Sequence, residues 1–244
     1  VGPSGEAAVF SYDDGIRRLL PLTKNHDKIE KAIQSLKAGN SGARLYDALS
    51  EAVNLLRNQR SGRRRAIIVV GEARDSGSET KLGVVLRNAQ LDNIVIYAVG
   101  LSAISADLRS EPQRSGPPSA TPPGTFGKPP FPGSVQTPTT EQQHSGNIDL
   151  TALSEWAVRN ATAVVKQRPL EVAATATGGM YQAAVRDRTI EKAVDSIGGE
   201  LNAQYMLSYK PAKSDEPGYH TIKVTVDRPD AKVRSRPGYY LEGK

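Results

Sequence analysis

The 244-residue chain contains no cysteine, a single tryptophan and only 5% aromatic residues. Without thiols there is no disulfide framework, no cysteine nucleophile and no zinc–cysteine site. This leaves the compartment open, because cysteine-free chains occur both in the cytosol and among exported bacterial proteins. With few aromatics, a core has to be built from aliphatic side chains. No apolar run approaches the roughly 20 residues that a membrane-spanning helix needs. There is also no initiator methionine and no secretory signal. A strand pattern begins soon after Val1, so the expectation is a longer parent chain. Neither a GxGxxG nor a Walker A sequence is present, so a phosphate-cradling loop is missing. The three histidines, His26, His144 and His220, have no nucleophile and acid spaced around them as a catalytic triad would require.

What the chain does have is two short apolar runs, Ala66–Val70 and Ile94–Val99. Neither alternates polar with apolar, which predicts strands buried on both faces of a helix-covered parallel sheet. Each run closes on a glycine, Gly71 or Gly100, followed by polar residues. Ligands of open α/β sheets bind at such carboxyl ends, so the functional reading concentrates on Gly71–Ser78 and its surroundings.

Upstream, Ala7–Tyr12 predicts a strand, Asp13-Asp14-Gly15 a hairpin turn and Ile16–Leu22 a returning antiparallel edge strand. Asp13-Asp14 reads as that turn rather than as a paired-carboxylate acid/base site. Asp27–Lys37 predicts a helix, with Asp27 and Glu30 at capping-box spacing. After Gly39-Asn40-Ser41-Gly42, a second helix places Leu45, Ala48, Leu49, Ala52, Val53 and Leu56 on one stripe. A third helix is expected over about Glu79–Leu91, with Ser76 and Glu79 spaced as its capping box. The βαβ rhythm predicts an α/β chain with a doubly wound, mostly parallel sheet.

Nine of the 16 prolines fall between Pro112 and Pro138, among Gly, Ser and Thr. That composition cannot bury enough apolar surface to offset its ordering entropy, so Glu111–Gly146 is expected to be a mobile, dispensable insertion. Asp149–Val165 predicts an amphipathic helix that packs Trp156. Leu170–Ala176 predicts another helix, ended by Thr177-Gly178-Gly179 in the manner of a glycine cap. Met180–Val185 predicts a strand, and Thr189–Leu201 a helix weakened by Gly198-Gly199. From Gln204 onward a two-residue period takes over. Gln204–Tyr209, Tyr219–Val226 and Lys232–Tyr240 predict a three-strand antiparallel appendage, with Tyr205, Tyr209, Tyr219, Tyr239 and Tyr240 in cross-strand pairs. The boundaries implied are 1–102 for the first part of the α/β domain, 103–148 for the insertion, 149–203 for the remainder and 204–244 for the appendage.

The net charge of +6 raises nucleic acid as a partner. The main cluster is Arg57, Arg60, Arg63, Arg64 and Arg65, at a helix end where cations are favourable. No aromatic residue is interleaved for stacking, so the cluster reads as a solvated helix end and nucleic acid is not the expected partner.

Taken together, these segments resemble a known family. Ser41-Gly42-Ala43-Arg44-Leu45-Tyr46-Asp47-Ala48-Leu49 resembles the G-G-T-x-L-Y-D-A-L segment of von Willebrand factor A domains. Ala66–Ser78 is similar to that domain's strand ending in a D-G dipeptide, Ile94–Gly100 to the strand after it, and Leu170–Tyr181 to its late helix and strand. The ending, with Gln204–Tyr209, Gly218-Tyr219-His220 and Val233–Tyr239, resembles the tail of a bacterial von Willebrand factor A-related family. The resemblance implies a Rossmann-like fold in which Ala7–Tyr12 is the second strand. The first strand is missing, and it would lie between Ala7–Tyr12 and Ala66–Val70. Those two strands are then expected either to close on each other or to leave a hydrophobic cleft.

The family's divalent-cation site uses a D-x-S-x-S loop, a threonine and the D-G aspartate, hard oxygen ligands that suit Mg²⁺. Here the D-x-S-x-S loop is absent, Ala43 stands at the threonine position and Glu72 at the aspartate position, where Arg74 could neutralise it. The metal site is therefore expected to be degenerate at Ala43 and Glu72, with no cofactor, and Mg²⁺ only if the site is completed elsewhere. The resemblance implies a non-enzymatic protein-interaction or adhesion module with a protein ligand, exported or extracytoplasmic. The candidate surface comprises Ser41, Gly42, Ala43, Arg44, Gly71, Glu72, Asp75, Ser76 and Ser78. Two alternatives stand beside it: a metal-dependent hydrolase using Glu72 and Asp75, and a structural envelope protein.

Overall fold

The computed structural model describes residues 5–37, 39, 42–59, 62–101, 168–184, 187–203, 207, 218–228 and 233–241. The Pro-rich stretch, the helix expected at Asp149–Val165 with Trp156, and Tyr205 and Tyr209 lie outside these residues.

The chain opens with a hairpin of β1 (Ala7–Tyr12) and β2 (Ile16–Thr23), paired antiparallel from Ala7↔Thr23 to Tyr12↔Ile16. Pro21 sits within β2, which pairs only with β1 among the described residues, as suits a residue that cannot donate to a ladder. Helix α1 (His26–Gln34) follows. Its first turn is capped by Asn25, whose side chain accepts from the Lys28 N–H at 2.9 Å, not by the expected Asp27–Glu30 box. Asn25 stands just ahead of the first helical residue, where the free N–H groups point.

Helix α2 (Leu45–Arg57) buries the expected stripe through Leu45, Leu49 and Val53. Strands β3 (Arg65–Glu72) and β4 (Ile94–Leu101) are parallel neighbours in register from Arg65↔Ile94 to Glu72↔Leu101, joined through α3 (Leu82–Leu91). Helix α4 (Pro169–Thr177) starts on proline and ends at Gly178 in the left-handed region (φ 81°), where its N–H and that of Gly179 cap the helix. Strand β5 (Tyr181–Ala184) then pairs parallel with β4, and α5 (Asp187–Ala203) runs on through Gly198-Gly199. The sheet order β3-β4-β5 with helices on both faces is the α/β architecture that the apolar runs predict.

Two apolar clusters lie on opposite faces of this sheet. One joins Ile67, Val69, Ile96 and Ala98 to α2, α3 and α4. The other joins Tyr97, Val99 and Ala184 to Ala193 and Ile197 of α5. β4 is thus buried on both faces. β3 is not, and this corrects the sequence expectation: Ile68 is 48% exposed and Val70 42% exposed. Helix α5 covers β4 and β5 but stops short of this part of β3. β1 and β3 do not pair with each other either; they lie in separate sheets. Tyr12 nonetheless reaches across to Gly71, where a Cβ would run into the Tyr12 hydroxyl.

The C-terminal residues form a shorter hairpin than expected, with β6 (Gly218–Thr221) antiparallel to β7 (Gly238–Leu241). Tyr219 meets Tyr240 edge-on at 5.3 Å, and His220 stacks on Tyr239 at 5.1 Å. Beyond Thr221, among the described residues, only the Ile222 N–H still bonds across, to the Pro237 carbonyl at 2.7 Å. Pro237 itself has no N–H to return, so the ladder ends there.

The arginine cluster is engaged locally. Arg57 pairs with Asp92 at 2.7 Å and Arg63 with Glu6 at 3.1 Å. Arg65 donates to the carbonyls of Gln59 (2.9 Å) and Asp92 (3.1 Å). Arg60 lies outside the described residues, and Arg64 is exposed.

Candidate functional site

The loop before α2 and the loop after β3 lie against each other at the carboxyl end of β3. Between them Ala43 and Ser76 form a single antiparallel bridge. The Ser76 N–H donates to the Ala43 carbonyl at 2.8 Å, and the Ala43 N–H donates to Ser76 Oγ at 3.0 Å. The first turn of α2 has no side-chain cap of its own, since Arg44 occupies the cap position. Its free N–H groups are instead taken by the other loop: Tyr46 N–H by Asp75 Oδ1 at 3.0 Å and Asp47 N–H by Ser78 Oγ at 3.2 Å. Ser78 Oγ in turn donates to Asp75 Oδ1 at 2.6 Å.

Asp47 returns the exchange. Its carboxylate accepts from the N–H groups of Glu79 (3.1 Å) and Thr80 (2.9 Å) and from Arg44 (2.9 Å). Burial pushes the Asp47 carboxyl up. The Thr80 hydroxyl, the two backbone N–H groups and the Arg44 guanidinium outweigh it and hold the group down at about 2. Asp47 thus fixes the segment leading into α3, while the expected Ser76 cap does not form and the helix has no side-chain cap. Ser76 is turned toward Ala43, Glu79 precedes the helix, and α3 begins only at Leu82 with Lys81 as its cap residue. The sequence carried a signal for this role: Asp47 is a carboxylate between Tyr46 and Ala48 at the buried start of an apolar helix.

The remaining candidates are placed as follows. Gly42 packs on the hairpin turn, where a Cβ would lie 2.8 Å from the Asp14 backbone nitrogen. The Arg44 N–H donates to the Asp13 carbonyl at 2.8 Å, while its guanidinium bridges Asp47 at 2.7 Å and Glu79 at 3.3 Å. Glu72 pairs with Arg74 at 3.0 Å, both about half exposed. Ser41 lies outside the described residues. Two groups were missed by sequence reasoning: the hydroxyls of Tyr12 and Tyr46 are buried beneath the loops with no hydrogen-bond partner among the described residues. Burial raises both to about 12, helped by the charge of Asp75 and, for Tyr12, of Glu72 as well. No group of three His, Asp or Glu side chains that could hold a metal ion occurs among the described residues.

Residues 3–73 match the family model described as von Willebrand factor type A domain. Among solved structures, the chain is similar to the SpRpn10 VWA domain at 18% identity and a TM-score of 0.34, covering 44% of this chain and 57% of that one. It is also similar to the conserved hypothetical protein BatB from Bacteroides thetaiotaomicron at 14% identity and a TM-score of 0.40, with 80% of each chain covered. A third similarity is to an aerotolerance-related membrane protein from Bacteroides fragilis, at 14% identity and a TM-score of 0.45, covering 82% of this chain and 81% of that one. None of the curated proteins matches the chain. No helix among the described residues is long and apolar enough to cross a membrane.

Proposed function

We propose that this chain, which carries a von Willebrand factor A-like domain, is a non-enzymatic, adhesion-type protein-binding module that contacts its ligand through the paired loops at the end of β3. One observation carries the reading: the polar side chains of these loops fix the loops to each other. Asp75, Ser76, Ser78 and Asp47 are all engaged as caps and bridges. What the loops display outward is a set of surface ion pairs, Glu72–Arg74 and Arg44–Glu79. Rigidly positioned loops bearing exposed charges suit recognition of another protein surface. Following the resemblance, the reading places the module outside the cytoplasm.

The donor set does not fit the divalent cation of the family. Ala43 offers no side-chain oxygen, Asp75 Oδ1 already accepts from Tyr46 N–H and Ser78 Oγ, and Glu72 is neutralised by Arg74. Mg²⁺ needs near-ideal octahedral oxygen geometry and takes poorly to such a set. Glu72 and Asp75 each have partners of their own, which supports the binding reading over a hydrolytic pair.

The test uses the immobilised 244-residue chain and extracts of the source cells. The double variant Glu72→Arg/Arg74→Glu is expected to lose the captured ligand while melting at the same temperature as the parent. Undiminished capture overturns the loop assignment. Mg²⁺- or Mn²⁺-dependent turnover of ester or phosphoester substrates, abolished by Glu72→Ala, overturns the non-enzymatic reading.

A further inference from the structure

A second surface lies at the other face of the hairpin. Helix α1 is amphipathic, yet none of its residues is buried. Ile33 is 53% exposed and Leu36, three residues on and just past the helix end, is 44% exposed. The Leu36 N–H still bonds the Ile33 carbonyl at 3.1 Å, so the turn carries on past the helix end and the two residues, three apart, share a face. Leu19 of β2 is also exposed. Between the hairpin and the end of α1 is a cleft of about 400 Å³, with Leu19 and Leu36 as its apolar walls and Arg17 and Lys37 among its polar ones. A cleft of that size falls in the range that accommodates a small group of side-chain dimensions.

The charge of the cleft selects among occupants. Asp13, its one carboxylate, is buried, held by the Gly15 N–H at 3.0 Å and by the Arg17 guanidinium. Arg17, though paired with Asp13, keeps more than half of its side chain exposed, and Lys37 is exposed as well. With Arg17 and Asp13 paired, the charge left over in the cleft lining is that of Lys37, exposed beside Leu36, so the cleft is net positive. A second copy would bring a chain of net charge +6 and the same cations to this face, and like charges at close range are unfavourable.

We propose that this cleft docks an acidic segment of another protein, with a leucine-sized side chain between Leu19 and Leu36 and a neighbouring carboxylate on Lys37. The inference shares with the reading above only the premise that the chain binds proteins. It uses different residues, so the two can fail separately.

The probe is a fluorescein-labelled peptide of alternating glutamate and leucine, titrated with the full chain and followed by fluorescence anisotropy. Two controls replace its glutamates with lysine or its leucines with serine. The glutamate–leucine peptide is expected to bind and both controls to fail. Leu36→Ser and Lys37→Glu should each weaken binding by roughly tenfold or more, with circular dichroism and melting unchanged, while Glu72→Arg/Arg74→Glu leaves it intact. Equal binding of the lysine peptide, or insensitivity to both cleft variants, overturns the proposal. So does a dimer in sedimentation that Leu36→Ser dissolves, which would make the occupant a second copy. Pelleting with phosphatidylserine vesicles that Leu36→Ser abolishes would make it a lipid surface and overturns it equally.

Discussion

β3 and β4 lie side by side in one parallel sheet, carry apolar runs of the same kind, and end up in different surroundings. β4 has α2, α3 and α4 on one face and α5 on the other, and Ile96, Tyr97, Ala98 and Val99 are inaccessible. β3 shares the first layer, but its second face carries Ile68 and Val70 half in solvent. An unbroken apolar run therefore reports only what a strand can tolerate. Whether each face is covered depends on where the helices end. The covered half of the sheet, around β4, is where stability should reside. The half around β1, β2, α1 and β3 leaves Leu19, Ile33, Leu36, Ile68 and Val70 exposed.

The most direct way to break this comparison is to delete the same atoms from both strands. Ile96→Ala empties a fully enclosed site, and such deletions cost about 2–5 kcal/mol. At roughly 2–4 °C per kcal/mol for a chain of this size, the melting temperature should fall by about 4–20 °C. Ile68→Ala, at a half-exposed position, should cost less than about 1 kcal/mol. Comparable losses in urea or thermal unfolding would mean that Ile68 is covered in solution and that the two strands are equivalent after all.

How far the sequence could be read follows from the same contrast. Strands β1 to β5, the N-terminal hairpin, the parallel pairing and the glycine stop at Gly178 were legible, because periodicity and turn chemistry act over a few residues. The long C-terminal strands expected over Tyr219–Val226 and Lys232–Tyr240 are only four residues each. The family resemblance named both loops as one candidate surface, and the structure joins them through the Ala43–Ser76 bridge. What was not legible depends on long-range choices. Ser76 was assigned to its own helix because capping-box spacing is local, whereas it bonds across the loops to Ala43, and Asp47 holds the Glu79 and Thr80 N–H groups from another helix. The exposure of Ile68 was likewise invisible, since nothing in β3 records where α5 stops.

A smaller effect is expected at the rim joining the two halves, where Asp47 of α2 holds the approach to α3. Its folded value of about 2 lies below its ordinary value of 3.8. A depressed carboxyl contributes stability that is fully present above the unfolded value and is lost as pH falls through the folded one. That contribution is roughly 2 kcal/mol, lost between about pH 4 and pH 2. Thermal melts from pH 5 down to pH 2.5 should fall more steeply for the parent than for Asp47→Asn, which is destabilised throughout but lacks this titration. Parallel curves would show that the Asp47 bonds do not form in solution.

The smallest effect should be a gain, in the helix that makes β4 different from β3. Helix α5 presses Ala193 and Ile197 onto Tyr97 and Val99, yet carries Gly198-Gly199 directly after Ile197. Glycine inside a helix is less favourable than alanine by about 0.5–1 kcal/mol, because its unfolded chain has more freedom to lose. A Cβ on Gly198 would meet nothing within 4 Å, so the methyl group adds no clash to offset the entropy gain. Gly198→Ala should therefore raise the melting temperature by a few degrees, at roughly 2–4 °C per kcal/mol. Hydrogen exchange should then slow at Ala193 and Ile197 and stay unchanged on α1. A lowered melting temperature would mean that α5 is not a regular helix at this point. The cover over β4 would then be looser than its burial implies, and the contrast with β3 correspondingly weaker.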